Sequence, residues 1–220
     1  DHGRAQAMNQ VLGLVVQPGV EFSPSQVHHF PMDRDFDLSG VMAAWPNLTL
    51  EAHSTDYQHP SVYPKLAELG FGFQKVGPAL TYAWRRALYA LDQILALRLG
   101  QAPRIAPVMR DLMERYPNYW RGHYDASDPQ IGSLLHLGLA DRIRYYWTDK
   151  TAQAVVNGVL AEFETANIGQ IEAAEFFCPT VISRAGTLGG VTARNLVLAQ
   201  IQEALAPYLW SSEHVGGLEC

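Results

Sequence analysis

Three short apolar segments, each followed at once by polar residues, constrain the fold of this chain more than any other feature. Val11–Val16 is a near-continuous apolar run, the signature of a strand buried on both faces in a parallel sheet, and Leu48–Ala52 and Phe71–Val76 are predicted as the second and third strands. Stretches of helical periodicity separate them, and no two-residue hairpin signal lies between them. The pattern therefore predicts successive βα units of an α/β protein.

Ionisable and amide side chains stand where each of these strands is expected to end. Gln17 and Glu21 follow the first strand, His53 and Asp56 follow the second, and Lys75 lies at the end of the third. Active sites of parallel α/β proteins lie at the carboxyl ends of the strands. We therefore expect Glu21, His53, Asp56 and Lys75 to converge at one edge of the sheet, with the two carboxylates and the lysine as catalytic groups.

His53 and Glu21 are the candidate metal ligands. A neutral imidazole at a strand end is a common ligand of divalent metals such as zinc, and Asp56 would then hold its second nitrogen or bind substrate. The alternative is that His53 only forms hydrogen bonds at this edge. The turn at Pro18-Gly19 directs Glu21 back over the strand ends, as a metal ligand or a general base.

Lys75 has three possible roles. It would contact a phosphate or carbonyl oxygen, form a Schiff base, or pair with Glu51 or Asp56 on the neighbouring strand. Gly77 leads into a helix N-terminus, which is a usual position for a bound phosphate. Substrate or phosphate binding is therefore assigned to the polar residues at the strand ends, namely Gln17, Ser54, Thr55 and Gly77.

Helices are predicted for most of the remaining chain. The best-defined helix follows the third strand, where apolar residues recur on one helix face: Leu80, Trp84, Ala87, Leu88, Leu91, Ile94 and Leu95. Helical periodicity also marks Ala5–Gln10, Asp33–Ala44, Tyr63–Leu69, Ile105–Tyr116, Leu134–Tyr146, Ala152–Glu164 and Thr192–Tyr208. We expect residues 1–100 to form the βα units and residues 101–220 to form a helical extension packed on them.

The densest polar and aromatic cluster outside the strands is Asp141–Trp147. Arginine suits bidentate phosphate binding, which makes Arg144 a candidate phosphate ligand. The alternative is an Asp141–Arg144 pair at i, i+3 that only holds the extension in place. Residues at i, i+2 do not share a helix face, so at most one of Arg142 and Arg144 is expected to face a site.

Composition argues against several classes of function. A net charge of −6 without a Lys/Arg cluster disfavours a nucleic-acid partner. No apolar run is long enough to span a membrane, and no signal-peptide pattern opens the chain. Two cysteines without a CxxC motif favour a reduced, cytoplasmic setting. The absence of a GxxxxGK(S/T) loop argues against a nucleotide cofactor and against a kinase.

Three motifs together resemble a known family. EAHSTDYQ (Glu51–Gln58), QKVGPALT (Gln74–Thr81) and DRIRYYW (Asp141–Trp147) are similar to the non-catalytic subunit of class II tagatose-bisphosphate aldolases, a family also described as tagatose-6-phosphate kinases. The resemblance runs from about Val11 to Tyr208 and corresponds to the C-terminal half of the longer family members. It implies the last three βα units of a (β/α)8 TIM-type barrel, followed by the helical extension.

The resemblance also implies a partner chain. Three strands do not close a barrel, so the edge beside Val11–Val16 is expected to be covered by another polypeptide or a second copy. The implied function is an accessory subunit in carbohydrate catabolism that sustains the activity and stability of the catalytic aldolase subunit, an enzyme that cleaves tagatose 1,6-bisphosphate.

An enzyme in its own right is the competing hypothesis. The strand-end polar residues favour a metal-dependent epimerase or aldolase that acts on a sugar or sugar phosphate, because a pure scaffold needs none of them. Class II aldolases carry a metal-binding histidine on the strand equivalent to Val15–Phe22, and this chain has none there. That difference favours the accessory role.

Overall fold

The computed structural model describes residues 10–34 and 38–209. The expected helix Ala5–Gln10 lies outside the described residues except for its last position. The described chain forms two compact units, namely a sheet unit, made of the residues up to Gly77 together with Pro207–Leu209, and a helical unit, Pro78–Ala206. The division therefore falls at Gly77 and not at residue 100, because the helix that begins at Pro78 packs against later helices.

The described part of the sheet unit contains five strands and two helices. They are β1 (Gly13–Val16), β2 (Glu21–Phe22), β3 (Val27–His28), α1 (Ser39–Ala43), β4 (Thr49–Ala52), α2 (Val62–Glu68) and β5 (Phe73–Gln74). Three strands form one parallel sheet in the order β1-β4-β5, with Val16 opposite Ala52 and Ala52 opposite Gln74. The parallel sheet predicted from the three apolar segments is therefore confirmed.

A short hairpin follows β1, where the sequence pattern predicts only a polar loop. β2 and β3 pair antiparallel, with Glu21 opposite His28 and Phe22 opposite Val27. The turn between them is closed by Ser23, whose Oγ accepts a hydrogen bond from the Gln26 amide at 3.0 Å. A serine side chain that satisfies the turn amide stabilises such a connection.

The helix predicted over Asp33–Ala44 is shorter in the structure. Asp33 and Arg34 lie in a turn in which the Arg34 amide donates to the Pro31 carbonyl oxygen at 3.0 Å. Among the described residues of this range, Ser39–Ala43 is helical, and residues 35–37 lie outside the described residues. The turn hydrogen bond after Pro31 competes with helix formation at this end.

The two faces of the parallel sheet differ in burial. On one face Leu50 and Ala52 are buried in an apolar cluster with Val20, Phe30, Val62, Leu66 and Phe71. Glu51 lies on the opposite face, because side chains alternate along a strand. In the described residues β1 has a strand neighbour on one side only, and Leu14 and Val15 are 48% and 53% exposed. The expectation that this strand is buried on both faces is therefore wrong for the described chain.

The helical unit contains no strand, as the sequence pattern predicts for most of it. Its α-helices are α3 (Pro78–Leu99), α4 (Ile105–Arg115), α5 (Ile131–Leu137), α6 (Lys150–Thr165), α7 (Gln170–Ala174), α8 (Pro179–Thr187) and α9 (Ala193–Leu205). Short 3-10 helices lie at Pro117–Tyr119 and Arg142–Tyr146. The sequence pattern misses α7 and α8, because helices of five and nine residues carry little periodicity.

The long helix α3 confirms the predicted amphipathic pattern. Its buried residues include Ala87, Leu88, Leu91, Ile94 and Leu95, and it packs against α6 and α9. Gly100 follows with φ of +64°, a left-handed conformation that commonly ends a helix.

The helix predicted over Leu134–Tyr146 is interrupted. α5 ends at Leu137, and a Cβ on Gly138 would lie only 2.6 Å from the Leu134 carbonyl oxygen. Asp141 then takes a left-handed conformation, with φ of 44°, before the 3-10 helix begins. The extended conformation of Gly138 and the left-handed conformation of Asp141 therefore separate α5 from the 3-10 helix. Within residues 10–34 and 38–209, no helix combines the length and apolar character that crossing a bilayer requires.

Candidate functional site

Gln17, His53 and Lys75 directly follow β1, β4 and β5. Because the three strands are parallel and in register, these residues lie at one edge of the sheet, which we call the strand-end edge. Glu21 lies further along the chain, in the antiparallel pair of β2 and β3. The structure therefore brings three of the predicted polar positions to a common edge.

His53 forms a hydrogen bond with Glu51 of the strand that it follows. Its Nε2 lies 2.7 Å from Glu51 Oε1, and the two side chains are 34% and 32% exposed. Residues two apart on a strand share a face, so this contact is local. Lys75 is exposed, and no carboxylate of the described residues lies within ion-pair distance of its Nζ. The alternative in which Lys75 pairs with Glu51 or Asp56 is therefore wrong.

Glu21 is connected to the strand-end edge through Gln17. Gln17 Nε2 donates to Glu21 Oε2 at 3.0 Å and to the Val20 carbonyl oxygen at 2.9 Å. The Phe22 amide donates to the other carboxylate oxygen of Glu21 at 3.0 Å. Gly19, with φ of 94°, provides the turn that allows this return. Both carboxylate oxygens are thus engaged within this turn, and Glu21 is not hydrogen-bonded to His53.

The segment His53–Gln58, which we call the strand-end loop, has an unusual backbone. Ser54 and Tyr57 have φ values of 57° and 64°. A left-handed conformation costs a residue other than glycine roughly 1–2 kcal/mol, so it persists where surrounding contacts fix it. One such contact is made by Gln58, whose Oε1 accepts a hydrogen bond from the Phe30 amide at 3.0 Å.

Asp56 holds the strand-end loop against the end of β5. Its side chain is buried, and its two carboxylate oxygens accept from the Gly77 amide at 2.9 and 3.1 Å. A Cβ on Gly77 would lie 3.1 Å from Asp56 Oδ2, so the glycine permits this close approach. The amide that the sequence suggests as a phosphate donor therefore has a carboxylate as its partner. Phosphate binding at Gly77 requires Asp56 to move away.

Thr55 connects the loop to β5 and to the C-terminal segment. Its buried hydroxyl donates to the Lys75 carbonyl oxygen at 2.9 Å and lies 3.0 Å from Tyr208 Oη. Tyr63 Oη donates to the Thr55 carbonyl oxygen at 3.0 Å, and the rings of Tyr63 and Tyr208 are 4.5 Å apart. Sequence reasoning assigns neither tyrosine to the site, because Tyr208 is 153 residues from Thr55 and no local pattern connects them.

Burial keeps both tyrosines neutral. It raises the pKa of Tyr208 to about 12 and raises the pKa of Tyr63 as well, and the nearby Asp56 carboxylate acts in the same direction. Neutral phenols act here as hydrogen-bonding groups that fix the loop.

Substitution Tyr208→Phe is expected to loosen the strand-end loop without unfolding the protein. The ring packing on Tyr63 remains, while the hydrogen bond to Thr55 is lost, which costs about 1 kcal/mol. Hydrogen exchange should rise at the Gly77 amide and across residues 53–58. The exposed Tyr116→Phe is the matched control and should leave exchange unchanged. Unchanged protection of Gly77 in Tyr208→Phe would show that this contact does not hold the loop.

The described residues do not by themselves form a complete metal site. Within residues 10–34 and 38–209, no group of three His, Cys, Asp or Glu side chains is arranged to hold a metal ion. The Nε2 of His53 is engaged with Glu51, and Glu21 is engaged with Gln17. A metal at this edge would need ligands from outside the described residues.

A buried ion pair is the main polar feature of the helical unit. Arg85 Nε donates to Asp141 Oδ1 at 2.8 Å, and both side chains are almost fully buried. The predicted Asp141–Arg144 pair is therefore wrong, because Asp141 points into the core toward α3. Arg144 instead donates to the Asp141 carbonyl oxygen at 3.1 Å and to Tyr145 Oη at 2.9 Å.

His136 lies near this pair as a neutral group. Its Nδ1 is 2.7 Å from Tyr89 Oη. Burial lowers the pKa of His136 to about 4, and the positive charges of Arg110 and Arg85 act in the same direction. The imidazole is therefore uncharged near neutral pH and contributes to packing and hydrogen bonding.

Comparison with known proteins identifies relatives over nearly the whole chain. The profile of the GatZ/KbaZ-like family, described as D-tagatose-1,6-bisphosphate aldolase subunit GatZ/KbaZ-like, matches residues 1–213. A D-tagatose 6-phosphate 4-epimerase of Agrobacterium fabrum is 35% identical over 210 residues, which cover 94% of this chain and 48% of the relative. The D-tagatose-1,6-bisphosphate aldolase subunit GatZ of Salmonella newport is 35% identical over 213 residues, which cover 94% of this chain and 49% of the relative.

A solved structure has the same fold. It is the crystal structure of a protein described as a probable tagatose 6 phosphate kinase from Sinorhizobium meliloti, with a TM-score of 0.85 and 35% identity. The match covers 94% of this chain and 54% of that protein. The chain thus spans about half the length of the relatives that it matches.

Proposed function

The chain belongs to the GatZ/KbaZ-like family of D-tagatose-1,6-bisphosphate aldolase subunits, and from this premise we propose that it acts as an accessory subunit of a class II tagatose-1,6-bisphosphate aldolase. The observation that carries the proposal is the family match over residues 1–213. In this role the chain sustains the activity and stability of the catalytic subunit in carbohydrate catabolism, in the cytoplasm.

The proposal includes a barrel architecture. We propose that β1, β4 and β5 are the last three strands of a (β/α)8 TIM-type barrel. Their parallel order and the half-exposed Leu14 and Val15 of β1 support further strands beside β1. The chain spans about half the length of the relatives that it matches, and the remaining strands of the proposed barrel would come from outside the described residues.

The accessory role still allows a sugar phosphate to bind at the strand-end edge. Lys75 is exposed and has no carboxylate partner in the described chain, which suits a phosphate contact. Gln17 and Ser54 follow β1 and β4 at the same edge of the sheet and are candidate hydrogen-bonding groups. Thr55 and Gly77 would contribute only after the strand-end loop opens, because their polar groups are engaged with Tyr208 and Asp56.

An epimerase that acts on a sugar phosphate is the second candidate. The observation in its favour is the relative named D-tagatose 6-phosphate 4-epimerase, which is as similar as the GatZ relatives. In that function Glu21, Asp56 and Lys75 would be catalytic. A divalent metal such as zinc would be held by His53 and Glu21 together with ligands from outside the described residues.

Substitution His53→Ala in the full chain separates the two candidates. For an accessory subunit, we expect the chain alone to give no turnover and to hold no zinc. The variant should then support cleavage of tagatose 1,6-bisphosphate by the catalytic subunit within about twofold of the unaltered chain, because His53 lies on a partly exposed strand end. Aldolase rate and elemental zinc content are the measurements. Glu51→Gln, which removes the carboxylate beside His53 but keeps the imidazole, is the matched control.

The opposite outcome would establish the second candidate. Epimerase turnover by the chain alone, with zinc and turnover both lost in His53→Ala and retained in Glu51→Gln, would overturn the accessory role. The expected loss in kcat/KM is then about 100-fold or more, since metal ligands are essential to such chemistry.

A further inference from the structure

The helical unit carries a surface of two exposed tyrosines and two half-buried arginines that the proposed function does not use. We call it the Arg–Tyr surface, and its residues are Tyr119, Arg142, Arg144 and Tyr145. Tyr119 and Tyr145 are 48% and 39% exposed. Their rings stack with centroids 5.4 Å apart and an interplanar angle of 21°. The two stacked tyrosines therefore keep part of their ring surface exposed.

The two arginines are held against this aromatic pair. The Cζ atoms of Arg142 and Arg144 each lie 4.5 Å from the centroid of the Tyr145 ring. Arg142 Nε donates to the Tyr119 carbonyl oxygen at 2.6 Å, and Arg144 Nη2 donates to Tyr145 Oη at 2.9 Å. A 3-10 helix has three residues per turn, and its spacing allows both guanidinium groups to reach Tyr145.

The backbone beneath this surface is fixed by burial. The 3-10 helix Arg142–Tyr146 begins at Asp141, which is anchored by the buried ion pair with Arg85. Ile143 and Tyr146 of the same helix are buried. The exposed side chains are therefore arranged before any partner arrives, and association would lose little side-chain entropy.

The charge of this surface is not neutralised within the described chain. Across residues 10–34 and 38–209, Arg85, Arg98, Arg104, Arg115 and Arg184 each pair with a carboxylate, but no carboxylate lies within ion-pair distance of Arg142 or Arg144. The guanidinium forks retain N–H donors that suit the two oxygens of a carboxylate.

We propose that the Arg–Tyr surface docks the carboxylate-bearing surface of a protein partner. Arginine and tyrosine are enriched among the residues that dominate binding energy at protein interfaces. The stacked rings provide apolar contact area, and the two guanidinium groups select aspartate or glutamate. The net charge of −6 disfavours a long polyanion such as nucleic acid. The proposal rests on the proposed function in one respect, which is that the catalytic aldolase subunit serves as the probe.

The test compares two double charge reversals in the full chain. Arg142→Glu/Arg144→Glu reverses the Arg–Tyr surface. Arg86→Glu/Arg194→Glu makes the same change in net charge at two exposed arginines that, in the described chain, neither pair with a carboxylate nor stack on an aromatic ring. Binding of each chain to purified catalytic aldolase subunit is measured by calorimetry at low and high ionic strength. Circular dichroism and thermal unfolding verify that both variants are folded.

We expect the surface reversal to weaken binding by about 100-fold and the control reversal to weaken it by less than about threefold. Binding of the unaltered chain should weaken as salt rises, because exposed charges are screened. The milder Arg142→Gln/Arg144→Gln keeps hydrogen-bond donors but removes the charge, and should weaken binding by about tenfold. If the Arg142→Glu/Arg144→Glu variant does not fold, the binding of the Arg142→Gln/Arg144→Gln variant is the deciding measurement.

Two other outcomes overturn the proposal and can be told apart. Equal binding by the surface and control variants would exclude the Arg–Tyr surface as the docking site, while the subunit role would stand. Absence of binding by the unaltered chain would overturn the subunit role together with the docking proposal.

Discussion

Replacement of Arg85 by methionine is expected to lower the free energy of unfolding by about 3–5 kcal/mol. The guanidinium group is 1% exposed, and its Nε is the hydrogen-bond donor to Asp141 Oδ1. Without it the Asp141 carboxylate stays buried and unpaired, and uncompensated buried charges are among the most costly defects in a protein. Urea unfolding at neutral pH, followed by tryptophan fluorescence, measures the change.

The double substitution Arg85→Met/Asp141→Asn tests whether the cost comes from the isolated charge. Asparagine removes the charge and tolerates the left-handed conformation at position 141. The double variant should therefore recover more than half of the lost stability, as buried ion pairs replaced together commonly do. If Arg85→Met costs less than about 1 kcal/mol, the pair is solvated in solution and the described burial is incorrect.

Replacement of Asp92 by alanine is expected to cost about 2–4 kcal/mol. Asp92 Oδ2 accepts hydrogen bonds from the amides of Arg104 and Ile105, both at 2.7 Å. No side chain at the N-terminus of α4 caps that helix. The buried carboxylate on α3, which is 12 residues away in sequence from Arg104, accepts the hydrogen bonds of the first amides instead. Its removal leaves two amides without an acceptor, at about 1–3 kcal/mol for each buried group.

Asp149→Ala is the matched comparison for Asp92→Ala. Asp149 caps α6 by accepting from the Thr151 amide at 2.7 Å, but this cap is local and exposed to solvent. Its loss should cost only about 1 kcal/mol, because water replaces it. Thermal unfolding of both variants, with hydrogen exchange at Arg104 and Ile105, measures the difference. Equal destabilisation would show that burial adds nothing to the cap at Asp92.

Local patterns predicted the elements that depend on near neighbours in sequence. The three parallel strands and α3 follow from apolar runs and from helical spacing, both of which act within a few residues. The strand-end edge follows in turn, because parallel strands place equivalent ends together. The hairpin of β2 and β3 was missed since each strand has only two residues, too few for any alternation to be visible.

Contacts between distant residues were the ones that sequence reasoning missed. Arg85 and Asp141 are 56 positions apart, and the nearer Arg144 offered a plausible but incorrect partner for the aspartate. The Glu51–His53 pair is different, because two residues at i, i+2 on a strand face the same side and the pairing was visible in the sequence. Attention to strand alternation would have identified it.

The sheet unit is built from two stretches of chain, with the whole helical unit between them. During synthesis the described strands and the strand-end loop are made before the helical unit, and Tyr208 leaves the ribosome only after the residues of α9. Until then Thr55 lacks its phenolic partner, although β1, β4 and β5 are already present. The strand-end edge is thus completed last. A nascent or prematurely terminated chain would carry the strands of this site without the hydrogen bond between Thr55 and Tyr208.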